Sequence, residues 1–130
     1  MQCQPNRMRR CRTIQLINFH TDQVIAADVK KAYSFWRRFK GLMGTKSLPE
    51  NSGLHIKPCT SIHTFNMKYS IDIIYLNKND EIVGIEEELE RGKIGKRFPN
   101  TTSVIELPAG TIKRTSLFIG NKVAFEGFND

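Results

Sequence analysis

The sequence predicts an α+β fold, mostly β: a compact antiparallel sheet or small barrel of roughly seven or eight short strands, with one or two short helices. Three observations carry that expectation. Short apolar or alternating runs recur along the chain, divided by Gly, Pro, Asn and Asp. One of them, Ile71 to Leu76, is apolar except for Asp72, as a strand buried on both faces should be. Strand-like runs follow one another without regular strand–helix alternation, which disfavours a parallel βαβ architecture.

Taken in order, residues 1–12 hold four arginines and no core pattern, and read as a disordered basic tail. The rest, 13–130, reads as one β-rich domain. Residues 13–19 alternate as a strand, His20-Thr21-Asp22-Gln23 supplies turn chemistry, and residues 24–27 return as the second arm. A weak helical turn is expected from Asp28 to Tyr33. A firmer helix follows, capped by Ser34, with Phe35, Trp36, Phe39, Leu42 and Met43 at helical spacing and Gly44 ending it.

Beyond a loop at 47–53, Leu54-His55-Ile56 makes a short strand stopped by Pro58, with His55 expected on the surface of a sheet edge. Residues 61–67 alternate, with Ser61, His63, Phe65 and Met67 on one face, so they read as the first arm of a central hairpin completed by 71–76. Asn77 to Asp80 form a turn and residues 81–85 a further strand. The acidic run 86–90 reads as a solvated face, and 91–100, with two glycines and a proline, as an exposed mobile loop. Residues 103–107 form a strand, Pro108 fits the first turn of a helix through Arg114, and residues 122–126 close the sheet after the Gly120-Asn121 turn.

Composition narrows the function. No apolar stretch approaches the ~20 residues of a membrane-spanning helix, and the basic N-terminus lacks the apolar core of a secretory signal. Three cysteines without close pairing point to a reducing, cytoplasmic setting rather than a disulfide framework. The net charge of +7 is concentrated in residues 1–46, which carry ten Lys and Arg against Asp22 and Asp28. That field would favour weak binding of polyanions, whether nucleic acid or acidic lipid.

Chemistry-bearing residues gather around the centre of the chain. Cys59, His63 and Met67 recur at intervals of four, but on a strand each step spans about 13 Å, too far for one metal. No metal or cofactor site is therefore expected. Asp72 inside an apolar run needs partners: either the backbone N–H groups of the 68–70 turn or His63 across the hairpin, the latter giving an acid–base pair. Glu106, between Ile105 and Leu107, is expected at the surface by alternation, with pairing to Arg38 or binding of a cation as its functional alternatives. No phosphate loop, Cys-x-x-Cys or nucleophile elbow is present.

Three segments together resemble a known family. They are Gly41-Leu42-Met43-Gly44 with Ser47-Leu48-Pro49; Ile62-His63-Thr64-Phe65-Asn66-Met67 with Ile71-Asp72-Ile73-Ile74-Tyr75-Leu76; and Val104-Ile105-Glu106-Leu107-Pro108-Ala109-Gly110 with Gly120-Asn121-Lys122-Val123. Their order and spacing resemble the domain of unknown function 192 family over about residues 13 to 126. Where that family tends to have Arg, Pro and Asp, this chain has Thr45, Ser70 and Asn121. The resemblance implies a compact, mostly antiparallel β domain and no established activity.

Three functional expectations follow. The first is a non-catalytic module that binds an unknown protein or small molecule in a cleft near His63, Asp72 and Glu106, with Met67 and Arg38 as further candidates. The second is a small enzyme using His63 and Asp72, and the third a polyanion binder acting through residues 1–46.

Overall fold

The computed structural model describes residues 13–34, 47–64 and 67–128. Seven strands and one short helix follow in order: β1 (Thr13–Asn18), β2 (Val24–Ala32), β3 (Ser52–Ile56), β4 (Ile71–Leu76), β5 (Ile82–Leu89), β6 (Ser103–Pro108), α1 (Thr111–Thr115) and β7 (Val123–Phe128). The basic tail, the helix expected after Ser34 and with it Arg38 lie outside the described residues.

The strands form one sheet in the order β5-β4-β6-β3-β2-β1-β7. Every pairing is antiparallel except β2 with β3. The sheet curls until its two edge strands meet at one end. There Ile82 N–H donates to Asn121 O at 2.8 Å, Gly120 N–H to Ile82 O at 2.9 Å and Val123 N–H to Asp80 O at 2.9 Å. A lone bridge between Glu81 and Lys122 lies beside them. The result is a half-barrel, closed at one end of the β5–β7 seam. Closing a sheet in this way removes exposed edge groups that would otherwise template association.

Two apolar clusters lie on opposite faces of the sheet. The inner one fills the barrel with Leu16, Ile25, Val29, Ile74, Leu76, Ile105 and Leu107, and α1 drops Ile112 in as a plug, joined by Leu117 from just beyond it. The outer one holds Leu54, Ile56, Ile71, Ile73, Tyr75 and Val104 beneath the segments that contain Ile62, Met67 and Phe98. Strand β4 feeds both, which is why its residues are all buried and all apolar but one. The expectation for 71–76 holds, as do the turns. Asn77 Oδ1 accepts from the N–H groups of Asn79 and Glu81, and Asn18 Oδ1 accepts from those of His20 and Thr21.

Several expectations need correction. Residues 61–67 are not a strand: apart from Phe65 and Asn66, which are not described, they contribute one bridge, His63 to Ile94. Hydrogen bonds to a neighbouring loop replace the ladder. Thr64 donates through Oγ1 to Glu90 O at 2.6 Å, and its Oγ1 accepts from Lys93 N–H at 2.8 Å. The same contacts hold the 91–100 loop, exposed as expected over most of its length, across the outer face, where Gly95 is buried. Residues 28–32 continue β2, because Val29 is needed inside and Ala32 outside. The acidic run is solvated as expected, with residues 86–89 carried on β5, whereas Pro108 ends β6, with α1 starting only at Thr111.

Gly84 shows how closely that loop is packed. It pairs with Tyr75, and the Phe98 ring occupies the space its Cβ would need. The Phe98 and Tyr75 rings lie 4.6 Å apart. Replacing Gly84 with alanine should force the Phe98 ring off Tyr75, at a cost of about 1–3 kcal/mol as for other overpacked sites. A urea melt reads this directly; an unchanged midpoint would show that the loop yields freely.

Candidate functional site

The residues singled out from the sequence do not share one cleft. Cross-strand pairs in an antiparallel ladder share a face. Asp72 pairs with Leu107 and so points into the barrel, while Ile73 pairs with Glu106, which therefore points to the outer face. His63 is exposed on the bridge to Ile94, and Met67 is buried in the outer cluster. Arg38 is outside the described residues.

Asp72 has found backbone partners, though not those of the 68–70 turn. Its Oδ1 accepts from Glu88 N–H at 2.8 Å. Its Oδ2 accepts from Gly110 N–H at 3.1 Å and Ile112 N–H at 2.9 Å. Glu88 sits at a bulge in β5 with φ of 50°, which turns its N–H inward. Gly110 sits at φ of 93°, where a side chain would strain the turn that aims its N–H at the carboxylate. One carboxylate thus ties β4 to the β5 bulge and to the start of α1. Both its oxygens serve the fold.

Glu106 is not at the surface. It is 4% exposed, and its Oε1 has no hydrogen-bond partner. Burial alone pushes its carboxyl up to about 8, so at neutral pH it is held mainly as the uncharged acid. Alternation correctly separated Glu106 from Ile105 and Leu107. It failed because the outer face is covered too. On that covered face the Tyr75 hydroxyl donates to Glu86 Oε1, and burial, with Glu86 beside it, raises the phenol above its ordinary value.

A cavity of about 260 Å³ opens at a mouth of the half-barrel, and its residues were not among the candidates. His55 stands on β3, directly between β2 and β6, opposite Lys31 and Ile105. It is therefore central rather than on an edge, and is 2% exposed. Its ring stacks on Phe125 at 4.4 Å between centroids and meets Tyr33 edge-on at 5.2 Å. Tyr33 Oη and His55 Nδ1 are 2.6 Å apart, whereas His55 Nε2 is buried without a partner. We assign the proton to Nδ1, since this leaves a lone pair rather than an orphan N–H in the apolar interior.

Burial, reinforced by the Lys57 ammonium, pulls the imidazole down to about 4. His55 is thus neutral at physiological pH, while Lys31 and Lys57 line the cavity as cations. Asp80 stands in the same lining, with Ile14 and Gly127 as further walls. The signal that could have found His55 is the one that flagged Asp72. A lone polar residue inside an apolar strand points to a second buried face.

The described residues hold no group of three or more His, Cys, Asp or Glu placed to bind a metal ion. No helix among them is long and apolar enough to cross a membrane.

A curled seven-stranded half-barrel, plugged by a short helix whose start is held by a buried carboxylate, defines the class of domain. The chain belongs to the DUF192 family, described as an uncharacterized ACR, whose model matches residues 16–125. A UPF0127 protein of Thermococcus sibiricus is 32% identical over 122 residues, covering 85% of this chain and 74% of that protein. A UPF0127 protein of Pyrococcus furiosus is 29% identical over 114 residues, covering 83% and 95%. Among solved structures, a protein of unknown function from Novosphingobium aromaticivorans superposes with a TM-score of 0.71 at 19% identity, covering 85% of this chain and 82% of that one. A Sinorhizobium meliloti protein described as a "putative transcription regulator" gives a TM-score of 0.71 at 23% identity, covering 91% and 95%. At these identities the two structures share the fold.

Proposed function

We propose that this chain is a non-catalytic cytoplasmic β module that binds a small ligand in the cavity floored by His55 and Phe125. The observation that carries this reading is the joining of an apolar floor to convergent polar groups. Aromatic and aliphatic walls meet Tyr33, Lys31, Lys57 and Asp80 at one concavity, joining apolar area to groups that can orient a ligand. Asp72 supports binding over acid–base chemistry, because its oxygens are committed to three backbone N–H groups. His55 supports it as well, since a base held near 4 is almost wholly free of protons at neutral pH and a poor acceptor of them.

The test is a fragment set added to isotope-labelled protein and followed by amide NMR. Bound fragments should shift Lys31, Tyr33, His55, Lys57 and Gly127 together. Gly127 is the blocking position, because a Cβ built there meets nothing within 4 Å and the residue lines the cavity. Gly127→Leu should fill the mouth and abolish the shifts while leaving the melting temperature nearly unchanged. Shifts that persist in that variant, or that cluster elsewhere, would refute the reading.

A further inference from the structure

The cavity carries a charge imbalance that says what kind of ligand it takes. Lys31 and Lys57 both line it, and the one acid beside them is Asp80. Among the described residues neither lysine has a carboxylate within ion-pairing distance; the ion pair seen there is Lys30 with Asp28. Asp80 is itself shared, because the Lys122 ammonium acts on it as well as that of Lys57. His55, the remaining polar group of the floor, is uncharged at neutral pH and adds no competing positive charge. The lining thus sets two ammonium groups against one carboxylate, with the Lys31 ammonium 5.8 Å from the Tyr33 ring centroid and the stacked His55 and Phe125 rings, 4.4 Å from centroid to centroid, in the same cavity.

From this juxtaposition, and resting on the binding role proposed above, we infer that the ligand is a small organic anion: a carboxylate or phosphate on a flat apolar body of about one ring. The anionic group lies between Lys31 and Lys57, and the ring lies over Phe125 and Ile14. Size agrees. A cavity of about 260 Å³ equals the liquid volume of roughly nine waters, enough for one substituted ring and too small for a dinucleotide. The rim lysines supply orientation and charge selection, while the floor supplies apolar burial.

The experiment uses single-ring probes of matched shape: benzoate and phenyl phosphate as anions, benzamide as the neutral form and benzylamine as the cation. Dissociation constants come from amide shifts at Lys31, Lys57 and Gly127 in 20 mM and 500 mM salt. An exposed charge contact contributes about 1 kcal/mol or less, so each lysine can supply up to about fivefold. Benzoate should therefore bind about tenfold tighter than benzamide at low salt, with the margin shrinking in high salt. The double substitution Lys31→Gln with Lys57→Gln should erase that margin while leaving benzamide binding in place. Equal affinity for benzoate and benzamide would overturn the anion assignment alone and leave the cavity a neutral-ligand site. Preference for benzylamine would overturn it in favour of Asp80 as the recognition group. If no probe shifts these residues at millimolar concentration, the binding role falls with it. The choice between phosphate and carboxylate is read from phenyl phosphate against benzoate.

Discussion

Replacing Asp72 with alanine is expected to remove about 4 kcal/mol of stability in urea denaturation, a loss large enough to unfold a marginal domain. The physical reason is the number of groups left without a partner. Glu88, Gly110 and Ile112 would each lose a charge-assisted acceptor, and Asp72 is fully buried, so water does not replace it without entering the core. The damage should spread in a defined pattern, since the same carboxylate holds the β5 bulge and the α1 start. Amide exchange should quicken at Glu88, Gly110 and Ile112 before it does at Ile74 or Ile105. Asp72→Asn, which keeps one acceptor oxygen, should cost about half as much. A loss below about 1 kcal/mol for the alanine variant, with those amides still protected, would show that the carboxylate does not hold these elements together.

Glu106 should act in the opposite direction. Its folded value of about 8 lies above the ordinary carboxyl value of 4.5, so the folded protein keeps a proton that the unfolded chain has released. Its contribution is fully present below about 4.5 and is lost as pH rises to about 8. At about 1.4 kcal/mol per pH unit, that loss is on the order of 5 kcal/mol. His55 runs the other way: its value falls from 6.5 to about 4 on burial, so it stabilises above 6.5 and its contribution is lost as pH falls toward 4. The two slopes oppose each other between about 4.5 and 6.5, and only that of Glu106 acts from 6.5 to 8. The protein should therefore weaken across that upper window. Glu106→Met, similar in length and free of charge, should remove the weakening and raise stability by about 3 kcal/mol at pH 8. At pH 5 the two proteins should nearly coincide. A variant that is less stable than the parent at pH 8 would mean that Glu106 has a partner in the fold.

Local features were legible because they depend on neighbours in the chain. Asn18 and Asn77 mark their turns by side-chain acceptors that reach N–H groups within four residues. The two-sided burial of β4 was written in its composition. Residues 61–67 misled because alternation of Ile62 and Thr64 with His63 arises equally from a strand and from a loop pinned at alternate side chains. His55 and Glu106 were misplaced for one shared reason. Alternation states that successive residues point to opposite sides, but it does not state whether a second layer covers either side.

What the sequence determined alone is the β-rich class, the turns, the apolar strand at its centre and, through the order of short motifs, the family. The tertiary structure decided how the strands are ordered, that β2 and β3 run parallel, that β5 and β7 meet, and which polar residues lie inside. The division has a physical cause. Propensity and turn chemistry act over a few residues, whereas strand pairing joins segments far apart in the chain. Shifting such a pairing by one residue exchanges the faces of every side chain it carries.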